Sequence, residues 1–110
     1  MHTLIIAGED VEEYVYKQGV RMNFITTKAL DEIPSDRLNT SRVFNFESEM
    51  HNYVQYANDQ NKGLCFITKR VDVIEAILKY FQYRDSFVEL IKCSKNGVEV
   101  FQGNDIINHI

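Results

Sequence analysis

Glu9, Asp10, Glu47 and Glu49 stand, with Thr68 and Lys69, where apolar runs of the chain give way to polar residues. Carboxylates that converge beyond the carboxyl ends of parallel strands can hold a divalent cation and turn it to phosphoryl transfer or nuclease chemistry. Glu9, Asp10 and Glu47 are the candidate metal ligands on that reading. The same side chains have a plainer assignment as helix caps and solvated strand ends, and on that assignment the chain has no catalytic residue and needs no cofactor.

Other chemistry finds little support. His2, His51 and His109 have no metal-ligand spacing with the cysteines, and no Cys-x-x-Cys, Gly-x-Ser-x-Gly or Gly-x-Gly-x-x-Gly pattern occurs. Cys65 and Cys93 both fall in expected strands, where they act as small buried hydrophobes. Tyrosine is the more informative residue. Tyr16, Tyr56, Tyr80 and Tyr83 lie partly off the apolar helix faces, and Tyr combines apolar area with a polar tip at low rotamer entropy, as protein interfaces require. Tyr56, Tyr80 and Tyr83 are the candidate partner-binding residues.

The elements that position these residues alternate between strand and helix. Thr3 to Ala7 is an apolar run fit for a buried strand, and Gly8-Glu9-Asp10 turns into a helix that Asp10 can cap. Val11, Tyr14 and Val15 form its inward face, with Gly19 as the stop. Met22 to Thr26 reads as a second strand. Lys28 to Ser41 is irregular around Pro34, with Asp31, Ser35, Asp36 and Asn39 in it, and is pinned by Leu30, Ile33 and Leu38. Val43 to Phe46 reads as a third strand, followed by a helix capped by Ser48 with Met50, Tyr53, Val54 and Ala57 inward.

From Gly63 the pattern is firmest. Leu64 to Lys69 is a strand, Val71 to Tyr83 a helix with Val71, Ile74, Ile77, Leu78 and Phe81 on one face, and Phe87 to Cys93 with Val98 to Phe101 a hairpin. Asn96-Gly97 can supply the positive φ angles of its turn. The expected fold is one α/β domain of three layers, with a mainly parallel central sheet and a C-terminal antiparallel β-hairpin. Ile106, Ile107 and Ile110 are placed to cover the terminal strand.

Composition sets the bounds. The chain has 110 residues, 45% of them hydrophobic and 25% charged, with a net charge of −4. That balance supports a folded core and disfavours broad nucleic-acid binding, which relies on Lys and Arg. No stretch approaches a membrane span, no secretory leader is visible and two cysteines make no disulfide framework, so a cytoplasmic protein is expected.

Val43-Phe44-Asn45-Phe46-Glu47, Met50 to Asn58, Phe66-Ile67-Thr68-Lys69-Arg70 and Val71 to Tyr80 follow one another in a familiar order. In that order residues 43 to 110 resemble the carboxyl-terminal half of ABC-type and AAA-like ATPase domains of the overcoming-lysogenization group: a Walker B strand, a helix, a switch strand, a helix and a hairpin. The resemblance puts Glu47 at the catalytic carboxylate. It also places Phe46 where a magnesium-binding Asp belongs and Lys69 where the switch His belongs, and no phosphate-binding loop precedes them. A chain reduced in this way would not hydrolyse ATP alone. Gly8-Glu9-Asp10 is also similar to the acidic turn of the metal-dependent topoisomerase-primase fold, although Phe46-Glu47-Ser48-Glu49 lacks that fold's Asp-x-Asp pair. A receiver-like domain would carry Asp at the third strand, where Asn45 and Glu47 stand.

Taken together, the sequence points to a small non-enzymatic interaction module that binds another protein. It would be an accessory or inhibitory protein of the phage or mobile-element kind, acting on a host ATPase or nuclease complex. A metal-dependent phosphotransfer or nuclease domain and a homodimeric structural subunit paired through the terminal strand are the alternatives.

Overall fold

A computed structural model of the chain describes residues 1–38, 44–84 and 86–110. Five strands form one sheet in the order β2-β3-β1-β4-β5. β1 (His2–Gly8) lies at its centre, parallel to β3 (Gly63–Ile67) on one side and to β4 (Phe87–Ser94) on the other. β2 (Phe24–Thr27) extends the sheet beyond β3 in parallel, and β5 (Gly97–Gln102) closes the other side antiparallel to β4. This is the expected α/β architecture with its C-terminal antiparallel pair.

A parallel sheet must be covered on both faces, since strands buried on both sides are apolar at nearly every position. In β1 the five residues Thr3 to Ala7 are all buried. Side chains alternate across the sheet, so Leu4 and Ile6 enter one core and Ile5 and Ala7 the other. The smaller core lies under α1 (Val11–Lys17) and α2 (Val20–Asn23), through Val11, Val15 and Val20. The larger takes Leu38 from α3 (Ser35–Leu38), Phe46, Met50 and Ala57 from α4 (Phe44–Asp59), and Ile77 from α5 (Val71–Phe81). It also takes Leu30 and Ile106 from the 3-10 turns Ala29–Glu32 and Gly103–His109. The β1-to-β2 crossover uses the first face, while β2-to-β3 and β3-to-β4 travel the opposite way over the second, so all three share one hand.

Several expectations are corrected. Of the third strand expected at Val43 to Phe46, Phe44 to Phe46 instead open α4, while Val43 lies outside the described residues, as do Asn39 and Ser41 of the irregular segment. Val-Phe-Asn-Phe alternates as a strand does, but Phe46 also continues the helical series Met50, Tyr53, Val54 and Ala57, and burial of Phe46 beside Met50 and Ala57 decides for the helix. Ser48 is therefore inside the helix instead of capping it. Asp10 has φ 57°, and its side chain makes no capping bond; its backbone carbonyl accepts from Tyr14 N at 3.1 Å. Met22 belongs to α2, which delays β2 to Phe24.

The hairpin pairs Ser94 with Gly97 around Lys95-Asn96, and only Gly97 of the Asn-Gly pair takes a positive φ, at 128°. α5 ends at Phe81, and its buried face is Val73, Ile74, Ala76, Ile77, Tyr80 and Phe81, leaving Val71 exposed. Of the isoleucines placed over the terminal strand, Ile106 is buried against the α5-side face of the sheet, Ile110 packs beside it, and Ile107 points outward. The tail lies against that face, and among the described residues no strand pairs with the outer edge of β5. No described helix is long and apolar enough to cross a membrane.

Candidate functional site

The loops after β1 and β3 leave the sheet toward opposite faces, which opens a crevice at their carboxyl ends where an α/β sheet reverses direction. The crevice measures about 430 Å³ and is bounded by Gly8 to Glu13, Lys28, Asp31 and Ile67 to Lys69. Its wall is shaped by a close backbone approach. Gly8, at φ 108°, lies against β4 such that a Cβ there would fall 2.1 Å from the Cys93 carbonyl oxygen, and that oxygen accepts from Glu9 N at 2.8 Å. Only glycine fits.

Glu9 and Asp10 do reach this crevice, together with Thr68 and Lys69. Glu47 does not. It lies in α4 with a carboxylate oxygen 3.4 Å from Arg84 Nη2, beyond the far end of α5. Because α5 begins just past β3 and runs eleven residues, that end is about 16 Å from the crevice. The three candidate metal ligands are thus not brought together, and among the described residues no group of three or more His, Cys, Asp or Glu is placed to hold a metal. Glu49 lines a separate hollow with Pro34 and Tyr53.

Two of the charges at the crevice pair with each other. Lys28 Nζ donates to Glu12 at 2.8 Å, which holds the Glu12 carboxyl below its ordinary range. Thr68, fully buried, donates its hydroxyl to Asp31 and accepts from Arg70 N at 3.0 Å. Arg70 is the centre of this corner. Its guanidinium donates to the carbonyls of Asp31 (2.9 Å) and Ile33 (2.6 Å), to Ser35 Oγ (2.8 Å) and twice to Asp72 (3.1 and 2.8 Å). The bond from Arg70, and next that from Ser35, pull the Asp72 carboxyl down to about 2. This network fastens the Ala29–Ser35 segment to the start of α5. Sequence reasoning missed it; the trace it leaves is an Arg and an Asp two apart at a helix start, a pattern shared by many exposed pairs.

The tyrosines separate. Tyr83 is 88% exposed and Tyr56 is exposed on α4, as an interface residue must be. Tyr80 is only 6% exposed, so its placement among partner-binding residues is corrected: its hydroxyl lies 2.7 Å from His51 Nδ1, and the Arg84 guanidinium sits 3.8 Å over its ring. Packing of α4 beside α5 widens the buried face beyond what one helix's periodicity shows. Tyr16 is exposed on α1, across the sheet from α4 and α5.

Both cysteines are buried and unpaired with each other, as expected, and burial pushes the Cys65 thiol up to about 12 and the Cys93 thiol upward. His2 Nε2 lies 2.5 Å from Glu89 Oε1, and Gln102 donates to the other Glu89 oxygen at 2.9 Å, a link among β1, β4 and β5 with no signal in the sequence.

Among the described strands, β5 is the most exposed. Val98 is 47% and Val100 50% exposed on the α1-side face, where they pair with the buried Cys93 and Ile91; Phe87, on the same face of β4, is 50% exposed. Comparison with family models, with curated proteins and with solved structures finds no match to this chain.

Proposed function

We propose that this chain is a small non-enzymatic interaction module that binds another protein by adding a strand to β5. The observation that carries the reading is the state of that edge. Natural sheets guard an edge with Lys, Pro, a bulge or a cover. Glu99 is the one charged residue of β5, which contains no Lys or Pro; its register with β4 runs unbroken from Gln102 to Gly97, and the C-terminal turn packs under it. The backbone groups on its outer side, beside two half-exposed valines, suit an extended segment whose main chain supplies hydrogen bonds and whose alternate side chains rest on Val98 and Val100.

The acidic crevice supports a metal-dependent reading less well, since Glu47 is remote from Glu9 and Asp10. An accessory or inhibitory role toward a larger machine is compatible with a binding edge on a compact body. The test is capture from lysate of the source cell with tagged wild type and with a Val98→Lys/Val100→Lys variant whose circular dichroism matches it. Stoichiometric partners retained by the wild type and lost by the variant are expected. Partners retained equally by both would remove β5 as the contact.

A further inference from the structure

Resting on β5 as the binding edge, we infer that it takes an extended segment of another protein with Lys or Arg between two apolar β-branched residues, the cation lying beside Glu99.

The register of the hairpin decides which groups of β5 face outward. A two-residue turn makes Ser94 and Gly97 a mutually hydrogen-bonded pair, and bonded and non-bonded pairs alternate along an antiparallel ladder. Lys92 with Glu99 and Leu90 with Phe101 are therefore the next bonded pairs. The N–H and C=O groups of Val98, Val100 and Gln102 point away from β4, and their side chains share the α1-side face. An added strand bonds to these three residues. Its side chains opposite Val98 and Val100 rest on two half-exposed valines, which favours apolar β-branched residues there. The residue between them then lies on the α5-side face, beside Glu99.

Glu99 asks for a cation at that place. It is exposed, and among the described residues no ion pair holds its carboxylate. Lys92, its neighbour across the ladder, gives its ammonium to the His109 carbonyl at 2.8 Å. The His109 ring lies 3.7 Å from the Asp105 carboxylate and stacks on Phe101 at 3.8 Å. The tail thus covers the α5-side face at Phe101 and leaves Glu99 outside. Opposite charges stabilise neighbouring strands and like charges destabilise them, so this carboxylate sorts incoming segments by sign. The net charge of −4 acts in the same direction at longer range.

Amide chemical shifts of the isotopically labelled chain test this with two probe peptides, acetyl-Thr-Thr-Val-Lys-Val-Thr-Thr-amide and the same peptide with Glu at its centre. Both read alike in either chain direction, so either strand orientation can form. Binding of so short a segment is weak, because its ordering is unfavourable. Shifts centred on Val98, Val100 and Gln102 are expected, with the Lys probe binding about fivefold tighter than the Glu probe at low salt. Glu99→Gln should bring the two probes near parity and Glu99→Lys should reverse their order, each with an unchanged circular-dichroism spectrum. Equal binding of both probes at β5, or a preference that survives Glu99→Lys, overturns the inferred cation and leaves the edge in place. Failure of both probes to move the β5 amides also overturns it. Captured proteins that Val98→Lys/Val100→Lys releases would then keep β5 as an edge for a segment of other composition, and a capture set unchanged by those substitutions would remove the edge itself. Sedimentation that shows the chain self-associating without peptide, and no longer doing so with those substitutions, would make a second copy the occupant and overturn the inferred segment.

Discussion

The Tyr80 hydroxyl and His51 Nδ1 meet at 2.7 Å and tie α5 to α4, with the Arg84 guanidinium closing over the ring at 3.8 Å. Two contributions to stability separate here. Tyr80→Phe removes one hydrogen bond whose other partner, His51, is exposed and can be solvated, so the cost is about 1 kcal/mol. Tyr80→Ala also empties a ring-sized space in the larger core, at about 3 kcal/mol or more. Urea denaturation of the two variants measures the difference. Equal, small losses would mean that the ring is not packed as described, and would return Tyr80 to the exposed residues available to a partner.

Arg70 joins two carbonyls, a hydroxyl and a carboxylate that come from the Ala29–Ser35 segment and the start of α5. Arg70→Ala leaves the Asp31 and Ile33 carbonyls without this donor and is expected to cost about 2 kcal/mol. Arg70→Lys should recover little of that, because an ammonium cannot span the planar fork of bonds. Chemical denaturation checks the size, and amide exchange checks the place: protection should fall first around Ala29 to Ile33. Full rescue by Lys would show that charge alone holds this corner.

The same corner sets an acid limb. Asp72 has its carboxyl lowered from 3.8 to about 2 by the bond from Arg70 and then by that from Ser35. A depressed folded-state value means that the unfolded chain takes up the proton first, so the contribution is fully present above about pH 4 and is lost as the pH falls toward about 2. Asp72→Asn should flatten stability over that window relative to wild type while leaving the slope above pH 5 unchanged. Parallel acid limbs in both proteins would assign the loss to other carboxylates.

How far the sequence reveals these arrangements depends on the range of the interaction. β1, β3 and the β4–β5 hairpin were legible because each is an apolar run bounded by turn residues, and the core of α5 because its period is near 3.6. The start of α4 was not, since Phe46 fits either period and only its burial in the larger core decides. Tyr80 and the Arg70 corner depend on which helix lies beside which loop, and residues 37 or 39 positions apart leave no local pattern. The candidate metal site failed for the same reason: Glu9 and Asp10 were placed correctly at a strand end, but Glu47 was assigned to a strand end that is instead a helix turn held by Arg84. The open edge at β5 was readable only in part. Ile106 to Ile110 offered enough apolar area to cover it, and the structure spends that area on the neighbouring face.

The two thiols give a probe of how unevenly the sheet is covered. Both are buried, and burial disfavours the thiolate that reacts with disulfide reagents, most strongly at Cys65, raised to about 12. Labelling therefore has to wait for opening. Cys65 lies on β3 between β1 and β2 and faces the same smaller core, fully buried with Val11, Val15 and Val20, so its exposure requires the whole α1–α2 layer to leave the sheet. Cys93 lies near the end of β4, beside the half-exposed Val98, in the smaller core under a helix of seven residues. Lifting α1 alone would bare it. Such local openings cost less free energy than global unfolding and expose less surface, so their rates respond weakly to urea. Cysteine-to-serine single variants labelled under native conditions should show Cys93 reacting faster with a shallow urea dependence, and Cys65 reacting slowly with the steep dependence of global unfolding. Equal rates with one common steep slope would mean that α1 and the sheet open only together.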